Sequence, residues 1–311
     1  MESVYTDPKS SAAAFSGLDN LYREARKQGL KISHKNVKKF AHSQRAYTRH
    51  FDTRKKFHRR RIVPTGVGTD YFMDLADMQS LKTRNRNVSY LLCVVDAFSR
   101  MAYVEPIKRK TPANVVEALK KIFTQTVAPY RLYSDRGLEF LGAPMKKFLE
   151  EIEVKQLTSK NDSVKASLAE LLIRRLKTRL ARWSTHTGKK YYLDILPHIV
   201  WGLNNSYNRI LKMRPSEVTM DNEKEIWDRV YSKSLNVSLD FKFDFGDKVR
   251  VLLKKTSFQK GYLPKFSEEV YEVEKRIAGN PPLYKVRNED GTGNLRRYYE
   301  AELVKVVDWK E

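Results

Sequence analysis

Tyr71-Phe-Met-Asp-Leu-Ala-Asp-Met78 is an apolar run of strand length interrupted by carboxylates, and reading it as a β-strand orders the rest of the chain around it. Strand alternation puts Phe72, Asp74 and Ala76 on one face and Met73, Leu75 and Asp77 on the other. Asp74 and Asp77 therefore cannot both serve one site from a regular strand. An acid flanked by Met73 and Leu75 in a half-buried strand needs a reason to be there, which marks Asp74 as a functional candidate. Asp77, nearer the strand end, reads as solvated. Outward from this run, strands are predicted over 88–96, 101–107, 131–134 and 154–157, with helices over 112–125 and 144–152. The pattern is that of an α/β domain with a mixed sheet.

Two further acids stand out in that frame. Asp135 follows the short strand 131–134, and Arg136-Gly137 lets the backbone turn away so that the carboxylate projects from the sheet's edge. Asp-x-Gly alone is a common turn composition. Glu170 lies in a helical pattern that begins near Val164, with Arg174 and Lys177 four and three residues further on. These three share one ridge, while Leu168, Leu171, Leu172 and Leu176 fall elsewhere; Arg175, Arg179 and Arg182 extend the cationic character. A solvated Glu170–Arg174 ion pair would account for the spacing by itself. Convergence of Asp74, Asp135 and Glu170 would instead suit a hard divalent cation that holds phosphate oxygens. Asp96, in Val94-Val-Asp-Ala-Phe-Ser99, reads as shaping the turn into the next strand.

The chain's bulk properties agree with a polyanionic partner. At 311 residues and 41% hydrophobic it has material for two or three ordinary cores, and its formal net charge of +23 predicts salt-sensitive attraction to nucleic acid. The basic excess is densest in residues 1–64. There, helices are expected over 12–29 and from a cap at Ser33. Arg54-Lys-Lys-Phe-His-Arg-Arg-Arg61, closed by Pro64, forms a basic connector that suits a linker, an import signal or a DNA contact. Cys93 is the sole cysteine, which excludes an internal disulfide and a multi-cysteine zinc site and fits a reducing compartment. The start of the chain lacks a secretory pattern and no run approaches membrane-spanning length, so the expectation is a protein that is neither secreted nor membrane-spanning.

Helical periodicity dominates 164–208 with Gly188 and Pro197 as interruptions, and 221–238 reads as a polar linker. From residue 241, short β-like runs alternate with turn signals at Gly246-Asp247, Gly279-Asn-Pro-Pro282 and Asp290-Gly291, which predicts a small barrel of about five strands. Its tyrosines and Trp309 read as core in preference to base-stacking groups.

Several stretches together resemble one family, the DDE integrases, and most closely the retroviral-type integrases of Maverick or Polinton DNA transposons. They are Phe72-Met-Asp-Leu-Ala-Asp-Met78, Tyr90-Leu-Leu-Cys-Val-Val-Asp-Ala-Phe-Ser-Arg100, Ser134-Asp-Arg-Gly-Leu-Glu-Phe140 and Lys165-Ala-Ser-Leu-Ala-Glu170. Tyr47-Thr-Arg-His50 is similar to the basic helical front of such proteins, here without zinc ligands. Phe245-Gly-Asp-Lys-Val-Arg250, Lys260-Gly-Tyr262 and Tyr298-Tyr-Glu-Ala-Glu-Leu303 resemble their SH3-like or chromodomain-like terminal barrel. After the third acid the family usually continues Arg-Phe-Asn-Arg-Thr, where this chain has Leu171-Leu-Ile-Arg-Arg175.

The resemblance implies a basic helical region over 1–64, an RNase H-like α/β catalytic core over 65–220, a linker over 221–240 and the small β-barrel over 241–311. It implies that Asp74, Asp135 and Glu170 hold two Mg²⁺ or Mn²⁺ ions for DNA 3′-end processing and strand transfer in the nucleus. The partners it implies are element ends, target DNA, further copies of the chain and chromatin, with no membrane. Arg174, Lys177, Lys165, Arg59, Arg60 and Arg61 are the expected nucleic-acid contacts. The rival expectations are a catalytically inactive or domesticated DNA- or chromatin-binding protein, and a ribonuclease acting on RNA–DNA hybrids.

Overall fold

The computed structural model describes all residues except 54–56, 61, 159–166, 236, 254–259, 289, 292–295 and 309–311. The chain divides into two compact units, one made of Met1–Arg60 with Ser234–Glu311 and the other of Arg61–Lys233.

The front of the first unit holds four helices, α1 (Glu2–Thr6), α2 (Leu18–Lys27), α3 (His34–Ser43) and α4 (Arg45–Arg49). Ser33 caps α3 by accepting the Asn36 N–H at 3.2 Å, as its position before the apolar period predicts. Leu21 and Ala25 of α2 and Val37 and Phe40 of α3 bury together with Val4 and Tyr5. The helix expected over 12–29 is shorter, because Gly17 stands at its N-cap and residues 12–15 form turns.

The second unit contains β1 (Asp70–Asp77), β2 (Tyr90–Asp96), β3 (Ala102–Ile107), α5 (Pro112–Phe123) and β4 (Arg131–Ser134). It continues through α6 (Leu138–Leu141), α7 (Ala143–Glu151), β5 (Lys155–Thr158), α8 (Ser167–Thr187), α9 (Leu196–Asn204) and α10 (Glu223–Val230). The sheet runs β3-β2-β1-β4-β5, with β2 antiparallel to both neighbours and β4 and β5 parallel to β1's direction. This mixed five-stranded sheet, covered by helices on both faces, supports the expected RNase H-like core.

Side-chain alternation in β1 divides the two cores as the sequence predicts. Tyr71 and Met73 pack with Val115 and Leu119 of α5 and Phe148 of α7. Phe72 and Ala76 pack with Ala169, Leu172, Leu176 and Leu180 of α8. Asp74, in phase with Phe72 and Ala76, therefore belongs to the α8 side, opposite Cys93 in the register. Asp96 has the turn-shaping role expected of it. Its buried carboxylate accepts the Phe98 and Ser99 N–H groups, the Gly68 N–H and the Ser99 hydroxyl, while burial pushes its carboxyl up. Gly188 at φ +70° follows α8, and Pro197 sits in the first turn of α9 where its missing N–H costs nothing.

The first unit is completed by β6 (Lys248–Val251), β7 (Tyr271–Ile277), β8 (Leu283–Arg287), β9 (Tyr298–Tyr299) and β10 (Leu303–Lys305), ordered β10-β6-β7-β8-β9 and antiparallel throughout. Among the described residues β9 and β10 do not pair, so the expected barrel stands as an open five-stranded sheet. Tyr284 and Tyr298 are buried with Phe243, Val249, Val273 and Val286, in line with the reading of the tyrosines as core; Trp309 lies outside the described residues. Arg250, nearly buried, donates to Thr48 Oγ1 at 3.0 Å and to the Ser267 carbonyl at 3.1 Å, which ties α4 to this sheet. Among the described residues no helix is long and apolar enough to cross a membrane.

Candidate active site

Asp74 sits mid-strand in β1, half-buried, its Oδ1 accepting the Leu75 N–H at 2.8 Å. Burial pushes its carboxyl up to about 6, and the neighbouring carboxylates of Asp135 and Glu170 push in the same direction. The Leu75 N–H and, less strongly, the Lys110 ammonium oppose that rise. A half-buried acid raised by burial and further by two other acids marks carboxylates within electrostatic reach of one another, only partly compensated by a cation.

The three acids reach this place by different routes. Asp135 follows β4 directly and is exposed; its Oδ1 accepts the Gly137 N–H at 2.9 Å, so the turn predicted from Arg136-Gly137 forms and leads into α6. A Cβ at Gly137 would fall within 2.7 Å of the Glu139 carboxylate, so a side chain there would displace Glu139. Glu170 stands exposed in the first turn of α8, on one ridge with exposed Arg174 and Lys177, while Ala169, Leu172 and Leu176 turn into the core. Parallel pairing of β1 with β4, together with α8 packing across Phe72 and Ala76, explains why residues so far apart in the chain come within electrostatic reach of one another. Among the described residues no three His, Cys, Asp or Glu side chains stand close enough to share one ion. Asp74 and Asp135 each spend an oxygen on a backbone N–H.

Lys110 is the neighbour the sequence reading missed. It lies in the loop after β3, pairs with buried Glu139 at 2.9 Å, and has its ammonium pKa raised chiefly by Glu139 and further by Asp135. A lysine within Lys108-Arg109-Lys110 carries no local signal of that position. Replacing Lys110 by methionine is expected to cost about 1–3 kcal/mol, because Glu139 is left buried without its partner. Urea unfolding of the variant checks this, and the loss should shrink in an added Glu139→Gln background.

The expected nucleic-acid contacts are placed unequally. Arg174 and Lys177 are exposed on the α8 ridge, and Arg59 is exposed with its guanidinium 4.7 Å from the Phe57 ring centroid. Arg60 is otherwise engaged. It donates to the carbonyls of Ile277, Ala278 and Pro281, each at 2.8 Å, so its charge serves the β7–β8 turn. Lys165 and Arg61 lie outside the described residues.

Residues 65–163 match the integrase core domain family. The chain is 35% identical over 196 residues to an uncharacterized transposon-derived protein of Caenorhabditis elegans, covering 62% of this chain and 65% of that protein. It is 25% identical over 224 residues to the retrovirus-related Pol polyprotein from transposon 297 of Drosophila melanogaster, covering 70% of this chain and 20% of that one. The chain thus spans less than two thirds of either relative. In fold it is similar to a chain of the simian T-cell lymphotropic virus intasome in complex with PP2A regulatory subunit B56 gamma. That match has a TM-score of 0.62 and 14% identity, over 95% of this chain and 97% of that one. Residues 65–163 are thus similar to an integrase core domain, and the chain is similar to transposon-derived and retrovirus-related proteins.

Proposed function

We propose that this protein is a DDE integrase of the Maverick or Polinton kind, which trims DNA 3′ ends and joins them to target DNA. The observation that carries this reading is Asp74, a half-buried carboxyl in mid-strand on the α8 side of the sheet, raised by burial and further by the carboxylates of Asp135 and Glu170. Three carboxylates without nitrogen or sulfur ligands suit a hard divalent cation, so Asp74, Asp135 and Glu170 are the residues that would hold Mg²⁺ or Mn²⁺. Such ions, when bound, supply charge stabilisation at phosphate oxygens and make a bound water or hydroxyl more acidic.

The remaining work is positioning. Arg174 and Lys177, following Glu170 along α8, would hold a phosphate backbone beside the acids. Arg59, with Lys165 and Arg61, would add sequence-independent affinity. The open terminal sheet would serve as the SH3-like or chromodomain-like module that contacts DNA or chromatin. Self-association and a nuclear setting complete the proposal, since both DNA ends and a chromosomal target must be brought together.

In the folded chain the Asp74 carboxyl loses its proton near pH 6, against 3.8 for the ordinary group, so its charged form opposes folding above that range. The full shift corresponds to about 3 kcal/mol, which solvent contact at this half-buried group reduces to about 1–2 kcal/mol. Asp74→Asn should therefore be more stable than the native chain by that amount at neutral pH in EDTA. The advantage should fade as pH falls from about 6 through 3.8, where both states keep the proton. Adding Mn²⁺ should raise the melting temperature of the native chain and leave that of Asp74→Asn nearly unmoved. Equal metal stabilisation of both would count against the proposed ligand set.

A further inference from the structure

Helix α8 carries a second cationic ridge that the acids do not use. Arg175, Arg179 and Arg182 follow one another at spacings of four and three, on a flank of the helix turned away from Glu170 and Lys177, with Arg174 between the two ridges. That flank faces the segment after α9 across a cleft of about 490 Å³. Among the described residues six arginines line the cleft, Arg100, Arg174, Arg175, Arg179, Arg182 and Arg209, and no carboxylate does.

Arg179 is held across the cleft wall by donating to Ser206 Oγ at 2.8 Å. Gly202 leaves room for it, since a Cβ there would stand 2.8 Å from the Arg179 guanidinium. Gathering guanidinium groups without counter-charge is self-repulsive, and a bound polyanion offsets that repulsion.

The rest of the lining narrows the class of polyanion. Between the arginines the wall is apolar, with Leu171 and Leu203, and the ring of Tyr207 stands 65% exposed at the margin. A duplex offers a protein surface mainly phosphates, with its bases stacked inside. A single strand offers phosphates to guanidinium groups and unstacked bases to apolar and aromatic surface. We infer that the cleft between α8 and residues 203–210 is a binding site for single-stranded nucleic acid, separate from the acidic site. Arg175, Arg179, Arg182 and Arg209 would hold the backbone, and Tyr207 would stack on a base. This goes beyond end joining and does not depend on the acids or on metal.

The test is fluorescence anisotropy of labelled oligo(dT) and of a duplex of matched length, in EDTA, with the full chain. Arg175→Glu with Arg182→Glu is compared with Lys146→Glu with Lys147→Glu, which makes the same charge change on exposed positions of α7. The cleft pair should weaken oligo(dT) binding about tenfold more than the α7 pair, because direct phosphate contacts are lost in addition to net charge. Tyr207→Ala should weaken oligo(dT) binding about fivefold or more and leave duplex binding unchanged. Tyr207 is exposed, so that variant retains the fold, and thermal melting of every variant verifies it. Equal losses from the two charge pairs would overturn the site, and an unaltered Tyr207→Ala would overturn its single-strand character.

Discussion

Arg131→Met is expected to destabilise the core unit by about 3–5 kcal/mol, the cost of stranding a buried charge. Asp70 is fully buried at the start of β1, and its carboxylate meets Arg131 twice, Nε to Oδ1 at 2.6 Å and Nη2 to Oδ2 at 2.8 Å. The Thr69 hydroxyl gives Oδ2 a further hydrogen bond at 2.9 Å. Asp70 and Arg131 are also register partners, so the ion pair closes the junction of β1 with β4, the strands that deliver Asp74 and Asp135. Methionine keeps much of the aliphatic stem and removes the charge, which leaves the Asp70 carboxylate with neutral donors alone. Urea unfolding measures the loss. Adding Asp70→Asn should recover most of it, because the pair is then removed together. A loss below about 1 kcal/mol, the range of solvent-exposed pairs, would mean that water reaches Asp70 through the partly exposed side of Arg131.

Asp135→Asn is expected to lower DNA-end joining by more than about a hundredfold, since losing a group that merely supports a metal ligand already costs about 10–100-fold. The substitution is nearly isosteric, and the asparagine oxygen can still accept the Gly137 N–H, so the turn after β4 should persist. DNA binding should survive with its salt dependence, because the cations proposed to carry it lie on α8 and the basic front. Filter binding across a salt series, run beside the joining assay, separates the two. Parallel loss of binding and joining would place Asp135 in the structure of the turn and not in the chemistry.

What the sequence made legible follows from backbone geometry. The period of two in β1 predicts that Asp74 shares a face with Phe72 and Ala76, and those residues do pack under α8. The period of α8 likewise predicts the exposed Glu170–Arg174–Lys177 ridge over buried Leu172 and Leu176. Less legible were features set by partners distant in the chain. Arg59, Arg60 and Arg61 look alike in the basic run, yet Arg60 is satisfied by carbonyls more than 200 residues away. Asp70 shares β1 with Asp74 and Asp77, and only the β1–β4 register identifies it as the partner of Arg131. The open edge of the terminal sheet was illegible for a related reason, since barrel closure depends on strand stagger and tilt, which alternation does not encode.

The most direct measurement of the central claim is joining of labelled, matched DNA ends into a plasmid with and without Mg²⁺ or Mn²⁺, for the native chain and Glu170→Gln. Glu170 is exposed, so the substitution leaves the α8 core contacts intact and tests its carboxylate alone. The account predicts joining that requires both the metal and Glu170. Tight, salt-sensitive binding with no joining by either protein, or joining that Glu170→Gln leaves unchanged, would contradict it.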